Sequence, residues 1–273
     1  MADLKVFNQT ITRVETQNYL QQVLGEKKNE FVNNLTALVA NNEKLQECEP
    51  LTTMYAALKA TALDLPLDQN LGFAYVIPYA DNKNNRVVAQ LQFGYRAIVQ
   101  LAIRSGQFER INVTDVREGE LRGRDRRTGE VKIDFIEDDV KRDKLPVVGY
   151  LGYFKLLNGY EKESYWTIEE LKQHGLRYSQ TFGSKNQYVR DNSKWATDFD
   201  SMAKKTVLKL MLNKGDAPMS VQMQAVNKFD QAVIKNEHDD IEYVDRPQDV
   251  LPAEVVEQAT PTKEEAQAAS ELF

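Results

Sequence analysis

The 273-residue sequence has one cysteine, Cys48, and two histidines, His174 and His238. A single thiol forms no internal disulfide and cannot build a thiolate zinc site, so the expectation is an inert cysteine in a reducing, cytoplasmic compartment. Histidine chemistry is nearly excluded as well. His238 stands in a strongly acidic region, and His174, near the end of a short helical pattern, reads as structural rather than catalytic. No apolar run approaches the ~20 residues of a membrane helix, and the start, MADLKVFNQT, lacks the basic and apolar blocks of a secretory signal. Also missing are GxxxxGK[ST], GxGxxG and HExxH. The nearest glycine-rich stretch, GRDRRTGE at 123–130, has the wrong spacing and no Lys-Ser/Thr pair to cradle phosphates.

What is present is charge, unevenly placed. The formal net charge is -6, but residues 237–273 hold 11 Asp/Glu against 2 Lys/Arg, leaving 33 basic and 30 acidic residues in 1–236. A mildly basic body with an acidic end suggests nucleic acid or a charged partner protein.

The pattern along the chain reads as α+β. The first sixty or so residues show helical spacing, with Tyr19, Leu20, Val23 and Leu24, then Phe31, Leu35, Leu38 and Val39, and Pro50 suits the first turn of a further helix. Residues 74–79 and 86–93 alternate around the turn cluster ADNKNN, a hairpin. A helix over 94–105 follows. Strands are expected at 108–118 and 130–136, flanking the basic segment RGRDRRTG, and a hairpin at 147–157 and 160–166 around LNG. Thr167 and Glu170 form a capping box. The stretch 176–194 has no clean period and reads as a loop. A long helix from Trp195 and a last one over 220–235 complete the body. The expected architecture is a small, mostly antiparallel sheet with hairpins, packed with helices, plus a disordered acidic C-terminal tail. The expected division is an N-terminal helical region at 1–49 with possible subunit contacts, a core at 50–236 forming one domain with it, and the tail at 237–273.

Binding single strands without reading sequence needs cations for phosphates and flat faces for bases. Both occur in HGLRYSQTFGSKNQYVRDNSKW, where Arg177, Lys185, Arg190 and Lys194 interleave with Tyr178, Phe182, Tyr188 and Trp195; from Lys172 to Lys214 there are nine Lys/Arg against three Asp/Glu. Any single aromatic in this segment is more readily a core anchor than a stacking platform. On the long helix, 100° per residue places Trp195, Phe199, Met202, Thr206 and Leu210 on the core stripe and Lys205 with Lys209 together on a flank. That flank is either a grip on one phosphate backbone or a solvated edge; Lys204 and Lys214 lie on other faces. Arg96, Gln100 and Arg104 recur every four residues with the same two readings. Arg122, Arg124, Arg126 and Arg127 belong at a hairpin tip, where they could touch DNA or a neighbouring subunit, with a solvated loop as the default reading. Asp115 with Glu130 and Lys132 offers the D…ExK arrangement of a metal-dependent nuclease, against a bland reading as a charged strand face. IEDDVKRDK at 136–144 reads as a solvated connection. A third class, a structural or scaffold assembly indifferent to DNA, also fits.

Four blocks in order, LPLDQNLGFAYVIPY at 65–79, AQLQFGYRAIVQLAIRSGQF at 89–108, VREGE at 116–120 and WATDFDSMAKKTVLKLMLNKGDAP at 195–218, resemble the signatures of RecT, the phage single-strand annealing recombinases, over roughly residues 50–230. The likeness is to members from phages or prophages of Gram-positive bacteria. The resemblance implies ATP-independent binding of single-stranded DNA, annealing of complementary strands into duplex, and assembly into rings or helical filaments. It implies no required cofactor, with Mg2+ at most modulating annealing. The implied partners are a phage exonuclease and the host single-strand binding protein, in the cytoplasm of the bacterial host. With it, the Lys205 and Lys209 flank leans towards DNA.

Overall fold

The computed structural model describes residues 4–68, 70–213, 217–218 and 220–243. Helices α1 (Leu4–Ile11), α2 (Val14–Leu24) and α3 (Lys28–Ala40) each turn a narrow apolar stripe inward, burying Phe7, Ile11, Leu20, Phe31, Leu35 and Val39. The short α4 (Glu43–Gln46) is capped by the Asn42 side chain, and α5 (Pro50–Ala62) starts on Pro50, whose missing N–H is not needed there. β1 (Ala74–Asp81) and β2 (Arg86–Phe93) form the expected antiparallel hairpin, in register from Ala74 opposite Phe93 to Asp81 opposite Arg86. Asn85, at φ +51°, closes the turn.

The chain then passes through α6 (Tyr95–Arg104) into β3 (Phe108–Arg117). β4 (Leu121–Arg124) and β5 (Val131–Ile133) pair as a separate hairpin, so only residues 125–130 form the tip, with Arg126 and Arg127, while Arg122 and Arg124, also expected there, stand on β4 itself. The one-turn α7 (Asp139–Arg142), capped by Asp138, leads to β6 (Val147–Leu156) and β7 (Glu161–Thr167), and the main sheet runs antiparallel in the order β3-β6-β7.

α8 (Ile168–Tyr178) begins with the capping box: the Thr167 hydroxyl accepts the Glu170 N–H at 3.2 Å and the Glu170 carboxylate accepts the Thr167 N–H at 2.8 Å. The segment expected as loop contains the end of α8 and the short α9 (Gln187–Asp191). The expected long helix is two, α10 (Lys194–Thr197) and α11 (Phe199–Asn213), because Asp198 takes a non-helical φ of -147° and ψ of 64°. The helical phase restarts at Phe199. Consequently α11 buries Ala203, Thr206, Val207, Leu208, Met211 and Leu212, while Met202 and Leu210 are only partly covered. Lys214 lies outside the described residues.

α11 crosses the main sheet so closely that a Cβ on Gly152 of β6 would stand 2.9 Å from Val207 Cγ1 and 3.0 Å from Met211 Sδ. Only glycine permits that approach. The last helix, α12 (Val221–Phe229), stops short of its expected end because Asp230 leaves the helix with ψ 123°; β8 (Val233–Ile234) and β9 (Ile241–Glu242) follow. The fold therefore continues past residue 236. Glu242 pairs with Arg86 at 3.0 Å and Lys235 at 2.8 Å, and Asp239 with Lys59 at 2.5 Å. Of the region expected as tail, 244–273 lies outside the described residues.

One continuous apolar core joins the N-terminal helices to β1, β2, α6, β6, α11 and α12, from Phe7 to Ile234. A second, small cluster of Val116, Val131, Leu151 and Tyr165 sits beneath the β4-β5 hairpin. The architecture is α+β with small antiparallel sheets, and no described helix is long and apolar enough to cross a membrane.

Candidate nucleic-acid interface

The ten residues singled out from sequence fall into three groups by what holds them. The first is the α6 stripe. Arg96 and Arg104 are exposed and Gln100 is half-buried. Arg96 donates to the Leu71 carbonyl at 3.2 Å, and Arg104 donates to the Leu63 and Asp64 carbonyls at 2.8 and 3.2 Å. These bonds go to neutral oxygens, among them carbonyls at the C-terminal end of α5, where a cation is favoured. Both arginines thus fix the 63–71 connection, and among the described residues neither has a carboxylate within ion-pair distance.

Group two is the segment from α8 to α10. Trp195 is buried, with Phe182 stacked on it at 6.0 Å and 20° and Phe199 edge-on at 5.7 Å. Gly175 of α8 lies against the indole, where a Cβ would be 2.8 Å from Trp195 Cδ2. His174 packs between Tyr178 at 4.6 Å and Trp195 at 6.4 Å. Burial, then the nearby Lys209 and Arg177 charges, push its pKa down to about 4, so it is a neutral packing group at physiological pH. The structure thus sorts the interleaved aromatics. Phe182 and Trp195 are anchors, Tyr178 is half-buried under the Arg177 guanidinium at 5.4 Å, and Tyr188 is 78% exposed. Arg177, Lys185 and Lys194 are exposed, and among the described residues none of the three has a carboxylate within ion-pair distance; Arg190 has Asp191 at 3.9 Å.

The third group changes the reading of α11. Lys205 and Lys209 share a flank, as helical phase requires, but they turn onto Asp230, which is 1% exposed. Lys209 hydrogen-bonds one carboxylate oxygen, while the other accepts the Phe93 N–H at 2.9 Å and lies 3.8 Å from Lys205 Nζ. Burial works to raise the Asp230 pKa, yet the two lysines and the Phe93 amide outweigh it and hold the carboxyl below its usual range. For Lys205 burial wins, and its pKa is lowered. Neither lysine is a free surface cation: together they join α11 to the α12 exit and the end of β2. Lys204 instead pairs with Asp200 at 2.9 Å one turn earlier.

The nuclease constellation is not assembled either. Asp115 is held by Arg117 at 2.6 Å and Arg142 at 3.3 Å, whereas Glu130 and Lys132 are exposed on the hairpin. A carboxylate already neutralised by two guanidiniums is a poor metal ligand, and no group of three His, Cys, Asp or Glu suited to a metal occurs among the described residues. IEDDVKRDK is more than a solvated connection, because its Arg142 reaches back to Glu120, which is fully buried, with bonds of 2.6 and 3.2 Å. Glu120 also accepts the Arg117 N–H at 2.7 Å and the Ile136 N–H at 3.2 Å. Burial opposes its charge, but Arg142 and these amides prevail and lower its pKa. VREGE is thus the foundation of the basic hairpin. At the tip, the Asp125 carboxylate accepts the Arg127 and Thr128 N–H groups, and at the base of the hairpin Arg122 pairs with Asp134 at 3.1 Å. Arg142→Ala strands Glu120, leaves Asp115 to Arg117 alone and is expected to cost about 3 kcal/mol, the lower end of the range for a broken buried pair because Arg142 keeps some water contact. Arg142→Lys, lacking the fork, should recover only part of the lost melting temperature.

Sequence reading missed Asp230, Arg142 and the burial of Glu120. VREGE carried a signal in its Arg117 and Glu120 pair, three residues apart, but nothing near Lys205 or Lys209 announces Asp230.

The sequence model of the RecT family matches residues 29–248. The chain is similar to an uncharacterized protein, YqaK, of Bacillus subtilis (strain 168), 37% identical over 231 residues that cover 82% of this chain and 74% of that one. It is also similar to Protein RecT of Escherichia coli (strain K12), 25% identical over 197 residues, 68% of this chain and 65% of the other.

Proposed function

The chain belongs to the RecT family, a family of DNA recombination and strand annealing, and from that premise we propose that it binds single-stranded DNA and anneals complementary strands without ATP, as an oligomeric ring or filament. The observation that carries the reading is the cationic segment from Arg177 to Lys194, anchored by the stack of Phe182 on Trp195 and almost free of internal acidic partners. Such a surface holds phosphates and leaves base edges to a second strand. Sequence checking then passes to Watson-Crick pairing, each correct step adding on the order of 1.4 kcal/mol. The lack of a phosphate-cradling GxxxxGK[ST] loop supports independence from ATP.

A phage exonuclease that supplies single strands and the host single-strand binding protein are the partners this reading adds, in the cytoplasm of a bacterial host. No metal is required; Mg2+ modulates annealing by screening the two strands from each other. The test mixes the protein with one labelled strand and then adds a complementary or an unrelated strand, with no nucleotide present. A stable annealed product with the complementary strand alone is the expected result, and equal behaviour with both would remove the proposal.

A further inference from the structure

Resting on the single-strand reading above, we infer that Tyr188 is a base-stacking platform, seating one unpaired base while the cations around it hold the adjoining phosphates. Among the large apolar side chains described, the Tyr188 ring is the most exposed, at 78%, and Val189 beside it is 37% exposed. An isolated exposed side chain is ordinary. This one is set on a rigid mount. Asn186 caps α9 through its side chain on the Val189 N–H, Asn192 Nδ2 donates to the Tyr188 carbonyl at 2.8 Å, and the Ser193 hydroxyl donates to the Arg190 carbonyl at 2.6 Å. Ser193 is buried and caps α10, whose Trp195 is in turn stacked on Phe182.

Of the segment's four large rings, Phe182 and Trp195 are therefore spent on anchoring, Tyr178 is half-buried under Arg177, and Tyr188 is left in water. Lys185 lies three residues before Tyr188 and Arg190 two after it, with Lys194 beyond, so cations stand on both sides of the ring along the chain. A flat face bracketed by positive charge matches the alternation of base and phosphate in a single strand. An apolar protein partner gains nothing from those charges. Stacking is also tolerant of base identity, because every base presents a π-face, and this suits a protein that must handle any sequence.

The experiment measures affinity for two strands of equal length and charge, an ordinary oligodeoxynucleotide and an abasic deoxyribose-phosphate strand, using wild type, Tyr188→Ala and Tyr188→Phe. Tyr188→Ala should weaken binding to the ordinary strand roughly five- to 150-fold, the range for losing one stacked base. It should leave binding to the abasic strand and the salt dependence unchanged, and Tyr188→Phe should behave as wild type. Equal loss on both strands, no loss on either, or a loss in Tyr188→Phe as large as in Tyr188→Ala would overturn the inference. So would a changed subunit assembly of DNA-free Tyr188→Ala in sedimentation, which reassigns the ring to a contact between copies. A wild-type protein that binds neither strand would instead sink the single-strand reading itself.

Discussion

Asp230→Ala is expected to lower stability by about 3–5 kcal/mol, because it leaves Lys205 and Lys209 with buried, uncompensated charge and the Phe93 N–H without its acceptor. For a body of this size that is a fall of roughly 6–20 °C in melting temperature. Lys209→Ala should cost a comparable amount, since it takes the hydrogen-bonded cation from a carboxylate that is 1% exposed.

The pH dependence has a defined sign. The folded Asp230 pKa is lowered, so its contribution is fully present above the unfolded value, about 3.9, and is lost as pH falls through the folded value. Glu120 and Asp115, also lowered, add to the same acid transition. On the alkaline side, Lys205 is lowered by burial, so the unfolded chain binds more protons as pH approaches the lysine range near about 10.4. In Asp230→Ala that lowering deepens. The deficit of the variant against wild type should therefore narrow as pH rises, seen in chemical denaturation curves from neutral to alkaline pH. A constant deficit would mean that the missing Phe93 bond and packing, not the stranded lysines, carry the cost.

Replacing Arg177, Lys185, Arg190 and Lys194 together with alanine is expected to flatten the log-log salt slope of single-strand binding by roughly 3, near 0.7 for each phosphate that is no longer neutralised. At moderate salt this weakens binding by several orders of magnitude if all four side chains reach phosphates. Melting temperature should hardly move, because Arg177, Lys185 and Lys194 are exposed and unpaired among the described residues and Arg190 has only a 3.9 Å approach to Asp191. The Asp230 and quadruple variants thus separate stability from binding. A quadruple variant that kept the wild-type slope would move the strand to another surface, with the α6 arginines next in line because their carbonyl partners leave their charge uncancelled.

Several elements were legible without a structure because their signals act within one or two turns. The Thr167 and Glu170 capping box is a contact between residues three apart, Pro50 at a helix start is a property of one ring, and the Asn/Asp cluster at 81–85 favours a turn whatever surrounds it. The α11 core stripe was misplaced for an equally local reason. Helical phase was counted from Trp195 through Asp198, and one non-helical residue there resets it.

By itself, then, the amino-acid sequence determined the α+β class, most helix starts and hairpins, the charge asymmetry and, through four ordered blocks, the family. Tertiary structure alone decided which charges and rings are free. Lys205 and Lys209 look identical in sequence to surface lysines until Asp230, more than twenty residues later, is folded against them, and Arg142 gains its role only when α7 is laid against β3. Phe182, Trp195 and Tyr188 share one short segment, yet two are anchors and one is exposed. The reason is the range of the forces involved. Hydrogen-bonded turns and caps are set by neighbours along the chain, whereas desolvation and ion pairing depend on which distant groups packing brings within a few ångströms.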